Sequence, residues 1–314
     1  TTLVNGTMKT MAWLKLKFAA GVGVAALIAG GAVTVAVSHP KDGNDGLTPQ
    51  EIAKQTQDAY AALTSYSGSG TVVVKSGATT LTNTFHIRLQ RPEFYRVEWS
   101  QTVAQGFATK GVAWSSGDGH FMQMSLGGKD AYPTPQKRSN RQSNLSSAAG
   151  VSSSASTTIS SAFFGEQSGN LRLVVMGAAK PTREPDAIVG SVDCHVFTSV
   201  LDSANQPGGG KLPNNMGSVG TITITFWIGK KDHLIRQTRT VMDTSQMKMP
   251  SLNDEQIKNI LSKTGKPVTP EVIATTRKIM EEGTKQARLG NVVFTETHEN
   301  IVVNQKFSPT DFAR

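Results

Sequence analysis

Hydrophobic and polar positions change their spacing several times along this chain, and each change predicts an element. Phe18 to Val37 (FAAGVGVAALIAGGAVTVAV) is an apolar run of about twenty residues without a charge, the length that crosses a hydrocarbon core of ~30 Å. A polar stretch follows. Thr48-Pro49-Gln50-Glu51 then forms a capping box with proline in the first turn. Ile52, Thr56, Ala59, Tyr60 and Leu63 recur at helical spacing and predict an amphipathic helix over 49–64.

From residue 71 the period falls to two. TVVVK at 71–75 and LTNTFHIRLQ at 81–90 flank a glycine-containing turn. In the second, Phe85, Ile87 and Leu89 share one face while His86, Arg88 and Gln90 share the other. Tyr95, Val97 and Trp99 alternate with Arg96 and Glu98. Further strands are predicted over 103–109, 111–115, 119–125, 171–176, 188–201, 220–228, 233–243, 291–297 and 299–304. The clearest is Thr221–Ile228 (TITITFWI), where Ile222, Ile224, Phe226 and Ile228 face one way. Such runs read as antiparallel hairpins with one buried and one wet face. Residues 133–161 are Ser-rich and predict a flexible excursion with a helix near 156–164. Residues 203–219 read as a Gly/Pro/Asn loop. An insertion over 251–288 holds two helices, one capped by Asn253 and one started by Thr269-Pro270-Glu271. The class is α+β.

Lys9, Lys15 and Lys17 precede the apolar run, and Trp13 sits near its edge. The positive-inside rule makes 1–17 a cytoplasmic basic flank and 18–38 a single transmembrane helix or signal anchor. Residues 39–47 become a linker, and 48–314 lie beyond the membrane. The rival reading is a secretory signal peptide cleaved after Ala36-Val37-Ser38. The run exceeds the usual apolar region of about 7–15 residues in such peptides, which favours an uncleaved anchor. The first residue is not Met, as expected of a processed form or a fragment.

Charge and cysteine content narrow the function classes. Of the net charge of +9, the three leading lysines supply a third, and the remainder is spread thinly. The densest basic cluster, Lys137, Arg138 and Arg141, lies in the Ser-rich stretch and reads as a solvated loop. Nucleic acid is not an expected partner. The single cysteine, Cys194, excludes an intrachain disulfide and any multi-cysteine metal site. Cys194 and His195 are adjacent on a strand and point to opposite faces, so they cannot form a local thiolate–imidazole pair. The six histidines show no metal-gathering spacing on one element. Gly208-Gly209-Gly210-Lys211 lacks the hydroxyl and the helix of a phosphate loop. Nothing assembles into nucleophile, base and oxyanion donors, so neither an enzyme nor a cofactor is expected.

Three stretches together resemble the LolA/LolB-like superfamily of outer-membrane lipoprotein-sorting-like envelope proteins. The first is the early helix leading into TSYSGSGTVVV and FHIRLQRPEFYRVEW. The second is IVGSVDCHVFT followed by TITITFWIGKKDHLIRQTRT. The third is ETHENIVVNQKFSPTDF. The resemblance covers roughly 48–312; the Ser-rich excursion and the helical insertion depart from it. It implies a curved antiparallel half-barrel closed by helices, with an apolar cavity that shields acyl chains. Together with the apolar run at 18–38, the expectation is an inner-membrane protein with a periplasmic domain, or a periplasmic one after cleavage. The implied partner is a lipid or a lipoprotein acyl chain. The alternative is an envelope-sensing or protein-interaction domain tied to a sigma-factor system, with an envelope protein as partner. That alternative draws on MAWLKLKFAAGVGV, which looks like membrane linkers downstream of sigma-factor-like regions.

A half-barrel closed by one helix leaves more concave face than the helix covers. The candidate lining is Phe85, Ile87, Leu89, Tyr95, Val97, Trp99, Ile222, Ile224 and Phe226, with Arg96 at the rim for an anionic head group. The plainer reading of the apolar residues is ordinary sheet core, and of Arg96 a solvated side chain.

Overall fold

The structure is a computed structural model that describes residues 45–77, 79–103, 107–126, 129–130, 134–152, 157–165, 170–175, 180–202, 221–243, 253–263, 268–274, 276–278 and 291–313. The expected membrane run at 18–38 and the loop at 203–219 lie outside these residues. No helix among the described residues is long and apolar enough to cross a membrane.

The first helix, α1 (Pro49–Ala62), begins at the expected place. Glu51 N–H donates to Thr48 Oγ1, and Thr48 N–H donates to the Glu51 carboxylate at 2.7 Å. Ile52, Ala53, Thr56 and Tyr60 form its buried stripe. The strands that follow are β1 (Ser65–Ser76), β2 (Thr79–Gln90), β3 (Phe94–Val103), β4 (Phe107–Ser115), β5 (His120–Leu126), β6 (Lys129–Asp130) and β7 (Gln136–Arg138). Three helices come next: α2 (Arg141–Ser152), α3 (Thr158–Phe164) and α4 (Asn170–Val175). Then come β8 (Lys180–Val189), β9 (Val192–Asp202), β10 (Thr221–Gly229) and β11 (Ile235–Asp243). Helix α5 (Asp254–Lys263), helical residues at 270–274 and 276–278, strand β12 (Asn291–Val303) and a 3-10 turn at Pro309–Phe312 follow.

All the strands join one sheet in the order β6-β5-β4-β3-β2-β1-β12-β11-β10-β9-β8, with β7 paired to β5. Every pairing is antiparallel. Two meanders, β1–β7 and β8–β11, are therefore joined by β12 between β1 and β11. Eleven strands spaced ~4.8 Å apart would span far more than a helix width if flat. Yet α2 packs on β3, β4, β5 and β7 while α1, which touches α3 and α4, packs on β8. One helical layer meets both flanks, so the sheet curves around it. The main core contains Tyr60, Phe163 and Leu145 from the helices. From the sheet it takes Val72, Ile87, Met122, Phe197 and Phe226.

Several expected elements differ. The expected strands over 103–109 and 111–115 are not two separate strands: β4 runs unbroken from Phe107 to Ser115 through Gly111, with the ring of Trp99 against that glycine, and Val103 ends β3. Residues 188–201 are not one strand but the turn and flanks of the β8–β9 hairpin, with Gly190 at φ 61°. Where a strand is expected over 171–176, the described residues 171–175 form most of α4, with Leu171 and Val174, one turn apart, both buried. The Ser-rich excursion is substantially helical: Leu145, Ala148, Ile159 and Phe163 anchor α2 and α3 in the main core. Residues 291–304 form one strand instead of two, with a register shift opposite Ser67–Ser69 and Asn300 at φ 52°. Within the insertion, Ile257 of α5 and Ile273 form a separate small cluster.

Candidate functional site

Strand alternation sends one set of side chains toward the helices. On β2 and β3 the register pairs Phe85 with Trp99, Ile87 with Val97 and Leu89 with Tyr95. Ile87, Leu89, Tyr95 and Val97 are fully buried, and Phe85 and Trp99 nearly so. Ile224 and Phe226 on β10 are buried in the same core, and Ile222 is half-buried against it. The structure thus brings all nine expected apolar residues onto one surface, the inner face of the sheet.

Two glycines shape it. Between Trp99 and Met124, β4 carries Gly111, and a Cβ there would come within 2.0 Å of the indole. Gly70 on β1 lies between Phe85 on β2 and His298 on β12, and a Cβ there would meet Thr297 O at 1.9 Å and the Phe85 ring at 2.5 Å. The absent side chains let large rings lie close to the backbone.

Arg96 does not join this surface. It alternates with Tyr95 and Val97 and so points to the outer face, where it donates to Glu98 at 2.8 Å and to the Ala313 carbonyl. Glu98 also lies 3.9 Å from Arg88 and 3.7 Å from His86. Burial raises the Glu98 carboxyl, but Arg96 and Arg88 outweigh it and hold the group below its ordinary value. Arg96 is neither a rim group nor a freely solvated one.

The polar group at the hairpin end of the inner face is a different set. Asn144 Nδ2 donates to Tyr95 Oη at 2.8 Å and to the Phe121 carbonyl, and Tyr95 Oη lies 3.1 Å from His120 Nδ1. Beside it, Glu93, His120, Asn140, Arg141 and Gln142 line a cleft of about 290 Å³. Burial lowers the His120 imidazole, and Arg141 adds to that against the opposing pull of Glu93.

Glu296 and His298 were not singled out as a pair by sequence reasoning. Glu-Thr-His on a strand is the signal that finds them, since positions two apart share a face. Glu296 stands beside Val72 on β1 and Thr238 on β11, and His298 lies across Gly70 with its ring 5.3 Å from Phe85. Both are at least 96% buried. Thr158 Oγ1 of α3 donates to Glu296 Oε2 at 2.7 Å.

Cys194 and His195 do lie on opposite faces. Cys194 joins Ala187, Val189, Val196 and Trp227 in a satellite apolar cluster, and burial pushes its thiol up to about 12. His195 instead faces Asp186 at 3.7 Å and Asp45 at 3.4 Å. No group of three or more metal-ligating side chains is present among the described residues.

No known family's model matches the chain, and no curated protein matches it. Solved structures align with most of this chain at low identity. LprF from Mycobacterium bovis is 12% identical over 83% of this chain and 94% of its own, with a TM-score of 0.40. Lipoprotein LppX from Mycobacterium tuberculosis is 12% identical over 83% of this chain and 97% of its own, at 0.36. A LolA superfamily protein from Nitrosomonas europaea is 7% identical over 85% of this chain and 98% of its own, at 0.26. At such identities and scores these likenesses say nothing of function, which has to be read from this chain's own residues.

Proposed function

We propose that this chain is a non-catalytic envelope protein that holds the acyl chain of a lipid or lipidated protein against the inner face of its sheet. One observation carries the reading. Apolar side chains line the inner face in both meanders, and at one end several of them are less buried than those in the middle. Phe226 and Ile224 are almost wholly buried, whereas Ile222, Val292, Phe294 and Leu81, at the end away from the Gly190 hairpin, are only half-buried. Exposed apolar surface at the mouth of a covered apolar face is what a hydrocarbon chain needs in order to enter.

The helices support this arrangement. Their closest backbone packing on the sheet is at the flanks, α2 on β3–β5 and α1 on β8, rather than on the central strands. Side chains, not helix backbones, lie nearest the middle of the inner face. The resemblance of the sequence motifs to the LolA/LolB-like superfamily points the same way. So does the apolar run at 18–38, which would hold the domain at the outer side of the inner membrane.

The test is uptake of a fluorescent fatty-acid probe by the full chain. Ile222→Glu, at the half-buried end, is expected to fold and to lose uptake about tenfold, because a carboxylate in the path of the hydrocarbon is costly to desolvate. Thr223→Glu, on the opposite face of the same strand, is expected to change nothing. No uptake by the parent chain, or undiminished uptake by a folded Ile222→Glu variant, would overturn the reading.

A further inference from the structure

A polar pair stands in the middle of this apolar face. β12 is flanked by β1 and β11 and lies near the centre of the sheet order, with six strands to one side of it and four to the other, so Glu296 and His298 are far from both sheet edges. Their neighbours on the inner face are Val72, Thr238, Phe85 and the bare backbone of Gly70. The inner face of β1 runs Tyr66, Gly68, Gly70, Val72. A Cβ on Gly68 would fall 2.8 Å from the Tyr66 hydroxyl, so the phenol is folded over that glycine toward the pair.

The hydrogen-bonding capacity of this group is unspent. Thr158 satisfies one Glu296 oxygen. The other lies 3.1 Å from His298 Nε2 without the alignment of a hydrogen bond. Among the described residues, neither His298 ring nitrogen nor the Tyr66 hydroxyl has a hydrogen-bond partner, although both side chains are almost wholly buried. Such groups are rare in folded proteins, because each costs free energy unless something occupies it. No Lys or Arg forms an ion pair with Glu296 among the described residues. Burial raises the Tyr66 phenol well above its ordinary value, a pull that Arg236 opposes and Glu296 reinforces, so the hydroxyl keeps its proton and remains a donor.

We infer that Glu296, His298 and Tyr66 form the polar anchor of the proposed lipid site and select an amphiphile with a neutral hydroxyl group. A hydroxyl donates to the carboxylate and accepts from the phenol at once, which neither a bare hydrocarbon nor an ester does. The inference rests on the acyl-binding reading and adds the ligand's chemistry to it.

The experiment is competition, read by native mass spectrometry of the full chain incubated with equimolar 1-monooleoylglycerol and methyl oleate. The two share the oleoyl chain and differ in their hydroxyls. The parent chain is expected to take up the monoacylglycerol about tenfold in preference, the scale of a hydrogen bond to a charged group. Glu296→Gln and Tyr66→Phe are expected to narrow that preference while methyl oleate, offered alone, still binds as before. Equal uptake of the two probes by the parent would overturn the anchor and leave the acyl site standing. Uptake of neither would overturn both. Because the parent's own preference is decisive, the result does not depend on either variant folding.

Discussion

Trp99 on β3 fills the space that a side chain at Gly111 on β4 would need. The two residues face each other in register, so the indole can move aside only by leaving the row it shares with Phe85. Gly111→Ala is therefore expected to lower stability by about 1–3 kcal/mol through overpacking. Urea denaturation of parent and variant measures it, and equal midpoints would mean that the ring is not held there.

Ile224 and Thr223 are neighbours on opposite faces of β10. Ile224 is 2% exposed, and Thr223 is half-buried on the outer face. Ile224→Glu is expected to unfold the domain or to cost more than about 3 kcal/mol, because a buried carboxylate without a partner is among the most expensive changes a core can take. Thr223→Glu should stay within about 1 kcal/mol of the parent. Circular dichroism melts separate the two outcomes.

The lone thiol is expected to be inert. Cys194 is fully buried and its thiol is raised to about 12, so almost no thiolate exists at neutral pH. A thiol reagent at pH 8 should label the native chain far more slowly than the urea-unfolded chain. Cys194→Ser should cost about 1–2 kcal/mol and leave probe uptake unchanged. Fast labelling of the native state would show that the satellite cluster opens.

A pH dependence follows from the charge cluster at the β8–β9 edge. Lys230 Nζ lies 2.6 Å from Asp186, and Arg183 also binds this carboxylate. Burial raises the Asp186 carboxyl, but the two cations prevail and its value falls below the ordinary one. For His195 burial is the largest influence and lowers the imidazole; Asp45 opposes it. Both groups bind protons more readily in the unfolded chain, so acid favours unfolding. The His195 contribution is intact above the ordinary histidine value of about 6.5 and is lost as pH falls from there toward its lower folded value. The Asp186 contribution is lost only below the ordinary aspartate value of about 3.9. Melting temperatures should drop between pH 7 and pH 5, and His195→Gln should reduce that drop. An unchanged slope in the variant would remove His195 from the account.

Much of this architecture was legible because local chemistry and tertiary packing agree. Thr48-Pro49-Gln50-Glu51 starts a helix on its own terms, and the alternation of Phe85-Ile87-Leu89 and Tyr95-Val97-Trp99 matches the face each strand buries. The misreadings arose where a distant partner decides. The break expected between 109 and 111 is not there, because Gly111 makes room in β4 for the ring of Trp99 rather than for a turn. Leu171 and Val174 sit in a short apolar run that suits helix and strand equally, and the core settles the choice. Ser-rich α2 carries little apolar surface, but Leu145 and Ala148 fall on its covered side. Within the site, the apolar residues could be named from their alternation. Glu296 and His298 could not be recognised as interior until β12 was known to run between β1 and β11 near the middle of the sheet, because an acid and an imidazole two apart suit a wet face just as well.

The position of β12 also sets the order of assembly. This strand begins at residue 291, yet it supplies the seam between the two meanders. While the chain emerges from its N-terminal side, β1 and β11 each present a bare row of backbone donors and acceptors that no earlier segment can satisfy. Until residues 291–303 arrive, the molecule is two open sheets with sticky borders, a state prone to pairing with other chains. The last step joins positions far apart in sequence, which makes completion slow. The chain therefore spends its most vulnerable interval unfinished, and a chaperone that shields strand edges would serve it best during that wait.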